Sequence, residues 1–290
     1  MEHQLWKAIV AILKTLNNSR KRRAADFTDH DIVQIYYWAV IHDRPTNWAC
    51  QAKNWPLHRR RFALPSAPTM CKRLATPRVG ALLDHLERRV TAPKEPGLYW
   101  IIDGKPLVIG GASQDRQAGY GRAASSMAKG YKLHAIVDTA GGIAAWRVAP
   151  MNKDERVMAA RMIKATPQLH GYLVADSNFD SNPLHAICDA REQLHLIARR
   201  RYGAGHGTGH RKQTAGRQHA MALIENPFPR FAEQLLTDRE AIERFFGSLT
   251  NWGGGLTCLP PWVRSHRRVR RWVQAKLTVV ALKANSIYVE

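Results

Sequence analysis

Three carboxylates stand where charges are unexpected. Asp103 ends the apolar run LYWIID, Asp176 ends YLVAD, and Glu243 lies in LTDREAIERFFGSL. A carboxylate closing a buried run needs a partner, because an unpaired charge in a low-dielectric interior is costly. Asp103 also has a plainer reading, a turn-forming Asp before Gly104. If the two strands are neighbours, Asp103 and Asp176 sit side by side, which is tolerable when a cation binds between them. Oxygen-only ligands favour magnesium or manganese over zinc. Around Glu243, Leu236, Ile242, Phe246 and Leu249 give the buried side of a helix that Thr237 or Asp238 can cap. Arg239 lies four residues earlier on the same face. It can hold a phosphate beside a metal or form an ordinary i,i+4 ion pair. Glu240 competes with Glu243 but points to another side of the helix.

The elements that must carry these groups change character near residue 92. Leu5, Ile9, Ile12, Leu13 and Leu16 recur at helical spacing up to the basic run Arg20 to Arg23, and Thr28 with Asp31 forms a capping-box signal before Ile32, Ile35, Tyr36 and Ala39. Another helix opens at Ser66 with Pro68 in its first turn, and one more carries Val79, Leu82, Leu83, Leu86 and Val90. Residues 1–92 therefore read as an all-helical region, closed by TAPKEPG. From Leu98 onward the pattern is of strands: Leu98 to Ile102, Pro106 to Ile109, Lys132 to Val137, and Ile143 to Ala149 with a Gly141-Gly142 turn. A helix from Lys153 to Ala165, a strand from Tyr172 to Ala175, a helix from Asn182 to Arg191 and a strand from Leu194 to Ala198 follow. That order predicts an α/β domain over 98–290, a mixed sheet flanked by helices, with PPWVRSHRRVRRWVQAKLTVVALK as a helix against it. Gln114 to Ser126 and the basic stretch 199–218 read as mobile loops.

Lys and Arg total 44 against 23 Asp and Glu, a formal net charge of +21 that must lie on a surface and asks for a polyanion. No stretch approaches the roughly 18 apolar residues of a membrane span. The amino-terminal charges follow the apolar run with no small-residue cleavage site, so a cytoplasmic location is expected. The four cysteines form no metal-spaced cluster and are expected to be reduced packing residues. Cations placed to meet nucleic acid are Arg59, Arg60, Arg61, Lys72, Arg73, Arg199, Arg200, Arg201, Arg264, Arg267, Arg268, Arg270 and Arg271, with Lys276 on the same late helix. Ser66 and Thr69 add hydroxyls beside Lys72 and Arg73. Trp252 and Trp262 are candidates for stacking on an unpaired base, or for the core.

The set IIDGKPL, KGYKLHAIVD, VADSNFDSN and DREAIERFFGSL resembles the DDE transposases of the IS4/IS5 type of bacterial insertion sequences, over about residues 98–285. The resemblance implies a ribonuclease-H-like catalytic domain with Asp103, Asp176 and Glu243 as its acids, and 73 and 67 residues separate them in turn. It also implies about two magnesium ions, with manganese able to substitute. Asp103 would bridge both ions, Asp176 and Glu243 would hold one each, and Arg239 would balance charge on the phosphate. The implied partners are double-stranded DNA, as the element's terminal inverted repeats and the target, and a second copy of the chain. A nucleoid-associated location follows. The helical region would bind the transposon end and support dimerisation. Leu236 and Thr250 stand where the IS4 pattern has Tyr and Lys. The alternatives are a catalytically impaired DNA-binding derivative and a ribonuclease-H-like nuclease without transposition.

Overall fold

The computed structural model describes the chain apart from residues 17–26, 60–62, 96, 124–125, 192, 199–212, 226–229, 252–254 and 287–290. Its residues fall into two compact units. One comprises Met1–Thr91, Leu249–Leu256 and Arg268–Glu290, the other Ala92–Ser248 and Thr257–Arg267. In chain order the first helices are α1 (Glu2–Thr15), α2 (Asp29–Ile41), α3 (Thr46–Ala49), α4 (Ala67–Leu74) and α5 (Pro77–Thr91). Then come β1 (Tyr99–Val108), β2 (Gly119–Ala123), β3 (Ser126–Val137), β4 (Ile143–Pro150), α6 (Glu155–Ala165), β5 (Gly171–Ala175), α7 (Asn182–Asp189) and β6 (Leu194–Ala198). The chain continues through α8 (Ala215–Glu225), α9 (Arg230–Asp238), α10 (Glu240–Asn251) and α11 (His266–Ser286). Among the described residues no helix is long and apolar enough to cross a membrane.

The helical unit starts where its caps predict. Thr28 and Asp31 form the reciprocal capping box of α2, and Ser66 Oγ accepts from the Thr69 N–H to open α4. Leu5, Trp6, Ile9 and Leu13 of α1 are buried, and Trp38 stacks on Trp55 at 4.8 Å with Trp6 edge-on to both. The late helix departs from expectation. From Arg268 onward α11 belongs to this helical unit and not to the sheet. Tyr37 Oη donates to Thr278 Oγ1 at 3.0 Å and Gln274 Nε2 donates to Asp84 Oδ1 at 2.6 Å. The physical reason is that α11 is buried on nearly every side from Trp272 to Val280, as a central helix must be, whereas a helix on a sheet buries one stripe. Lys276, expected on a basic outer face, is fully buried and paired with Asp43 at 2.5 Å, over the Trp272 ring.

In the second unit the described strands form one mixed sheet. Strand β3 pairs antiparallel with β1, β2 and β4, while β1, β5 and β6 run parallel. This is the mixed, helix-flanked sheet that the order of elements leads one to expect. One face buries Trp100, Ile102, Ile136, Leu173 and Leu196 under α6 and α7, and the other buries Val174 and Ile197 under Ala220 of α8 and Leu235 of α9. Such double cover explains the near-continuous apolar runs of β5 and β6. Asp138 Oδ1 accepts from the Ala140 and Gly142 N–H groups and closes the β3–β4 turn, with Gly141 at φ +86.

Two sequence expectations change. Strand β1 does not stop at Asp103 but runs unbroken through Gly104 and Pro106, which β3 holds in register as far as Val108. Proline is tolerated there because β5 pairs with β1 only at Tyr99, Trp100 and Ile101, so the missing N–H of Pro106 interrupts no β1–β5 hydrogen bond. Within 114–126, read as a mobile loop, β2 forms a hairpin with β3. Its glycines hid it: a Cβ at Gly119 would meet Asn152 at 2.3 Å and one at Gly121 would meet Met151 at 2.6 Å, so close packing excludes the side chains that signal a strand.

The start of β5 sets its position against β1. Gly171 has φ +81, and a Cβ there would lie 2.2 Å from the Leu98 carbonyl oxygen. Gly171→Ala is expected to lose at least about 2 kcal/mol of stability through left-handed strain plus the backbone clash. Urea unfolding checks this, and an unchanged midpoint would sink it.

Candidate active site

The register of β1 on β5 brings two acids together. Tyr99 faces Tyr172 and Ile101 faces Val174, an offset of 73 residues, and Asp176 follows Asp103 by the same 73. The acids therefore emerge side by side from adjacent parallel strands about 4.8 Å apart. Asp103 Oδ1 accepts from the Gly104 N–H at 2.7 Å. Asp176 caps a turn of 3-10 helix, Ser177–Phe179, accepting from the Asn178 N–H at 2.9 Å. Burial pushes the Asp103 carboxyl up to about 6; the Gly104 N–H pulls it down, the charges of Asp176 and Glu155 push it up, and Arg239 pulls it down. Burial and the like charges beside it make an anion there costly, which a bound cation would relieve.

The third acid is less close. Arg239, just before α10, lies near enough to Asp103 to act on its charge, but Glu243 is 63% exposed and paired with Arg239 at 3.4 Å, the ordinary i,i+4 arrangement. Among the described residues no three His, Cys, Asp or Glu side chains converge as metal ligands. The structure thus brings Asp103 and Asp176 to one cleft, with Arg239 within electrostatic reach of Asp103, and leaves Glu243 outside that lining. Thr237 does not cap α10; it ends α9, its hydroxyl donating to the Glu233 carbonyl. The Leu236 side chain lies outside the described residues.

Sequence reasoning missed a second set of charges. A cleft of about 520 Å³ is lined by Asp103, Asp176, Glu155, Lys132, Arg122 and Arg156, among others. Lys132 pairs with Glu155, and its stem crosses Gly104, where a Cβ would lie 2.8 Å from Cδ. Gly104 is thus a close-approach glycine inside a strand. The available signal was Lys132 within KGYKLHAIVD and the acidic first turn of α6, whose Asp154 caps the helix.

The expected DNA-contacting cations divide. Arg73 donates to the Phe27 carbonyl and to Asp29 at 2.7 Å, and Arg264 donates to the carbonyls of Pro260 and Val263, so both hold the fold. Arg270 pairs with Asp84 at 3.1 Å, Arg271 is half-buried, and Lys72, Arg267 and Arg268 are exposed. Arg60, Arg61, Arg199, Arg200, Arg201 and Trp252 lie outside the described residues, as does the Arg59 side chain. Trp262 is 37% exposed. The stretch 199–218 is not a loop to its end: α8 begins at Ala215, and Arg217 is buried against Asp180. That ion pair joins residues 37 positions apart, which local composition cannot reveal. Cys188 is buried, whereas Cys71 and Cys258 are exposed, so packing explains only part of the cysteine set.

The raised Asp103 carboxyl gives a pH dependence with a definite sign. Between the ordinary carboxylate value and about 6 the folded, metal-free state keeps a proton that the unfolded state has released, so stability falls as pH rises through that window. In chelator, Asp103→Asn should gain on the order of 2 kcal/mol over the parent at about pH 7.5 and lose the advantage below about pH 4. Denaturant unfolding at the two pH values measures the difference. Equal stabilities at the higher pH would overturn the desolvation account.

Comparison with known proteins now bears on this geometry. The family described as Transposase DDE domain matches residues 98–280. No curated protein matches the chain. Among solved structures, the cryo-EM structure of piggyBac transposase synaptic complex with hairpin DNA is similar with a TM-score of 0.48 at 10% identity, covering 96% of this chain and 70% of that one. With the match spanning more than half its length, and the strand-end acids inside it, the chain belongs to the transposase DDE domain family.

Proposed function

We propose that this transposase acts on a bacterial insertion sequence of the IS4/IS5 type, nicking the DNA at the element's ends and joining the freed 3′ ends to a target. The observation that carries the reading is the register-matched pair Asp103 and Asp176, an oxygen-only donor set at the strand ends in which Asp103 is desolvated beside a like charge. Such a pair fits magnesium or manganese. Asp103, Asp176 and Glu243 would hold it, and when bound it supplies an activated water or 3′ hydroxyl and stabilises the leaving oxygen. Glu243 on α10, four residues after Arg239, would be the third oxygen donor. Arg239, already acting on Asp103, places a guanidinium where charge grows on the phosphate. The cleft lines the two acids with Lys132, Glu155 and Arg122.

DNA would be held by the exposed cations Lys72, Arg267 and Arg268. A homodimer pairs the two ends. The helical region, with Ser66 and Thr69 on α4, would read the end sequence. The transposase would work at the nucleoid.

Nicking of duplex carrying the element's own ends, with magnesium, tests the assignment. Asp103→Ala, Asp176→Ala and Glu243→Ala should each lower the rate by roughly 1,000-fold, about 4 kcal/mol of barrier. Full activity of Glu243→Ala would remove it from the site. Turnover in chelator would sink the metal reading. The double change Arg267→Ala and Arg268→Ala should lower the slope of log affinity against log salt by about 2, one phosphate contact each. A parallel loss of affinity at an unchanged slope would exclude direct phosphate contact.

A further inference from the structure

Asp176 is held from two directions. Its amino-terminal side is strand β5. Its carboxy-terminal side is a five-residue turn that passes through the fully buried Phe179 and ends at Asp180. On Asp180 three elements converge. Its Oδ1 accepts from Arg217 Nε at 2.7 Å and from His185 Nε2 at 3.3 Å, and its Oδ2 accepts from Arg217 Nη2 at 2.8 Å. The Arg217 side chain is 5% exposed and that of Asp180 13%. Burial alone would raise the Asp180 carboxyl, but hydrogen bonds from His185 and Arg217 overcome it and hold the group well below the usual carboxylate range. Arg217 is itself fixed on the first turn of α8. Thr214 Oγ1 accepts from its backbone N–H at 3.2 Å, and Asp189 Oδ2 accepts from the Gly216 N–H at 3.0 Å. A Cβ at Gly216 would overlap the Asp189 carboxylate, so the backbone of α8 starts directly against that side chain at the end of α7.

A buried ion pair is rarely more stabilising than apolar side chains of the same volume. Two aliphatic residues would hold α7 to α8 equally well. What the guanidinium fork adds is direction, because two parallel N–H bonds fix the plane of the carboxylate they meet. The carboxylate so fixed terminates the turn whose other end is Asp176.

We propose that Asp180 and Arg217 are positioning residues for Asp176: the fork orients the turn from α8, so that the Asp176 carboxylate faces Asp103 when a metal binds. The proposal rests on Asp176 being a metal ligand. Groups that orient ligands without touching the metal are worth about 10–100-fold in metal affinity, and the loss should appear at the metal.

The test uses manganese alone, in the full chain without DNA, and reads how far it raises Tm as its concentration rises. Three variants are compared with the parent: Asp103→Ala, Arg217→Lys, and the double change Asp180→Leu with Arg217→Met. The double variant should keep the metal-free Tm close to the parent's, since apolar packing replaces the pair, yet need about 10–100-fold more manganese for half its Tm rise. Arg217→Lys, which keeps the charge and loses the fork, should show the same loss in milder form. In nicking assays both should lose kcat at unchanged KM for DNA. A parent whose Tm manganese does not raise, or an Asp103→Ala variant raised as far as the parent, overturns the metal reading and this proposal with it. A parent that responds, an Asp103→Ala variant that does not, and Arg217→Lys with the parent's half-saturation overturn the positioning role alone. Should the double variant fail to fold, Arg217→Lys decides the matter.

Discussion

The structure depends on the parallel register between β1 and β5. Nothing in a carboxylate draws it towards another carboxylate, so Asp103 and Asp176 can meet only if the backbone forces them to. The forcing is strong because a slip of one residue would turn every buried side chain of β5 to the opposite face. Leu173 and Ala175 fill the core on one side and Val174 the core on the other, so the register is fixed by residues that take no part in chemistry. Gly171 allows β5 to start in contact with the Leu98 carbonyl, and the Tyr172 N–H donates to that same oxygen at 2.7 Å. The acids are where they are because the apolar residues before them have no alternative.

Such a site is locally unfavourable, and the rest of the unit offsets it. Desolvation and a like charge both act against ionised Asp103, which is the arrangement a cation relieves. Around it the molecule keeps its other acids satisfied. Glu155 meets Lys132, Asp180 meets Arg217, and Asp154 takes the first N–H groups of α6. Asp103 differs from these: it has one backbone N–H and a more distant arginine, and it stands beside the like charge of Asp176.

The parts of this arrangement that were legible in the sequence are those set by local rules. Thr28 with Asp31, Ser66 with Pro68, and Gly141 with Gly142 each announce an element within four residues, and each does what its chemistry requires. The apolar runs before Asp103 and Asp176 likewise read as strands. What failed depends on partners far along the chain. Strand β2 carries glycine where Asn152 and Met151 press in, so it lacks a strand's apolar face. Helix α11 has an apolar stripe that suits a sheet, but Gln274, Lys276 and Thr278 are buried too, each with a partner in the helical unit. At the site, both aspartates and the i,i+4 pairing of Arg239 with Glu243 could be read locally, whereas the exposure of Glu243, which depends on how α10 packs, could not.

The same division explains how a net charge of +21 should be understood. A surplus of cations names a polyanionic partner, but it does not say which cations meet it. Arg73, Arg264 and Arg217 occur in or beside basic runs, yet each spends its donors on carbonyls or carboxylates of its own unit. Guanidinium suits that task, since its planar fork can satisfy several acceptors at once and stay charged in a partly buried setting. Arg267 and Arg268, adjacent to such residues in sequence, remain exposed. Density of arginine therefore measures two demands together, holding irregular backbone in place and attracting phosphate. Only the geometry of each fork separates them.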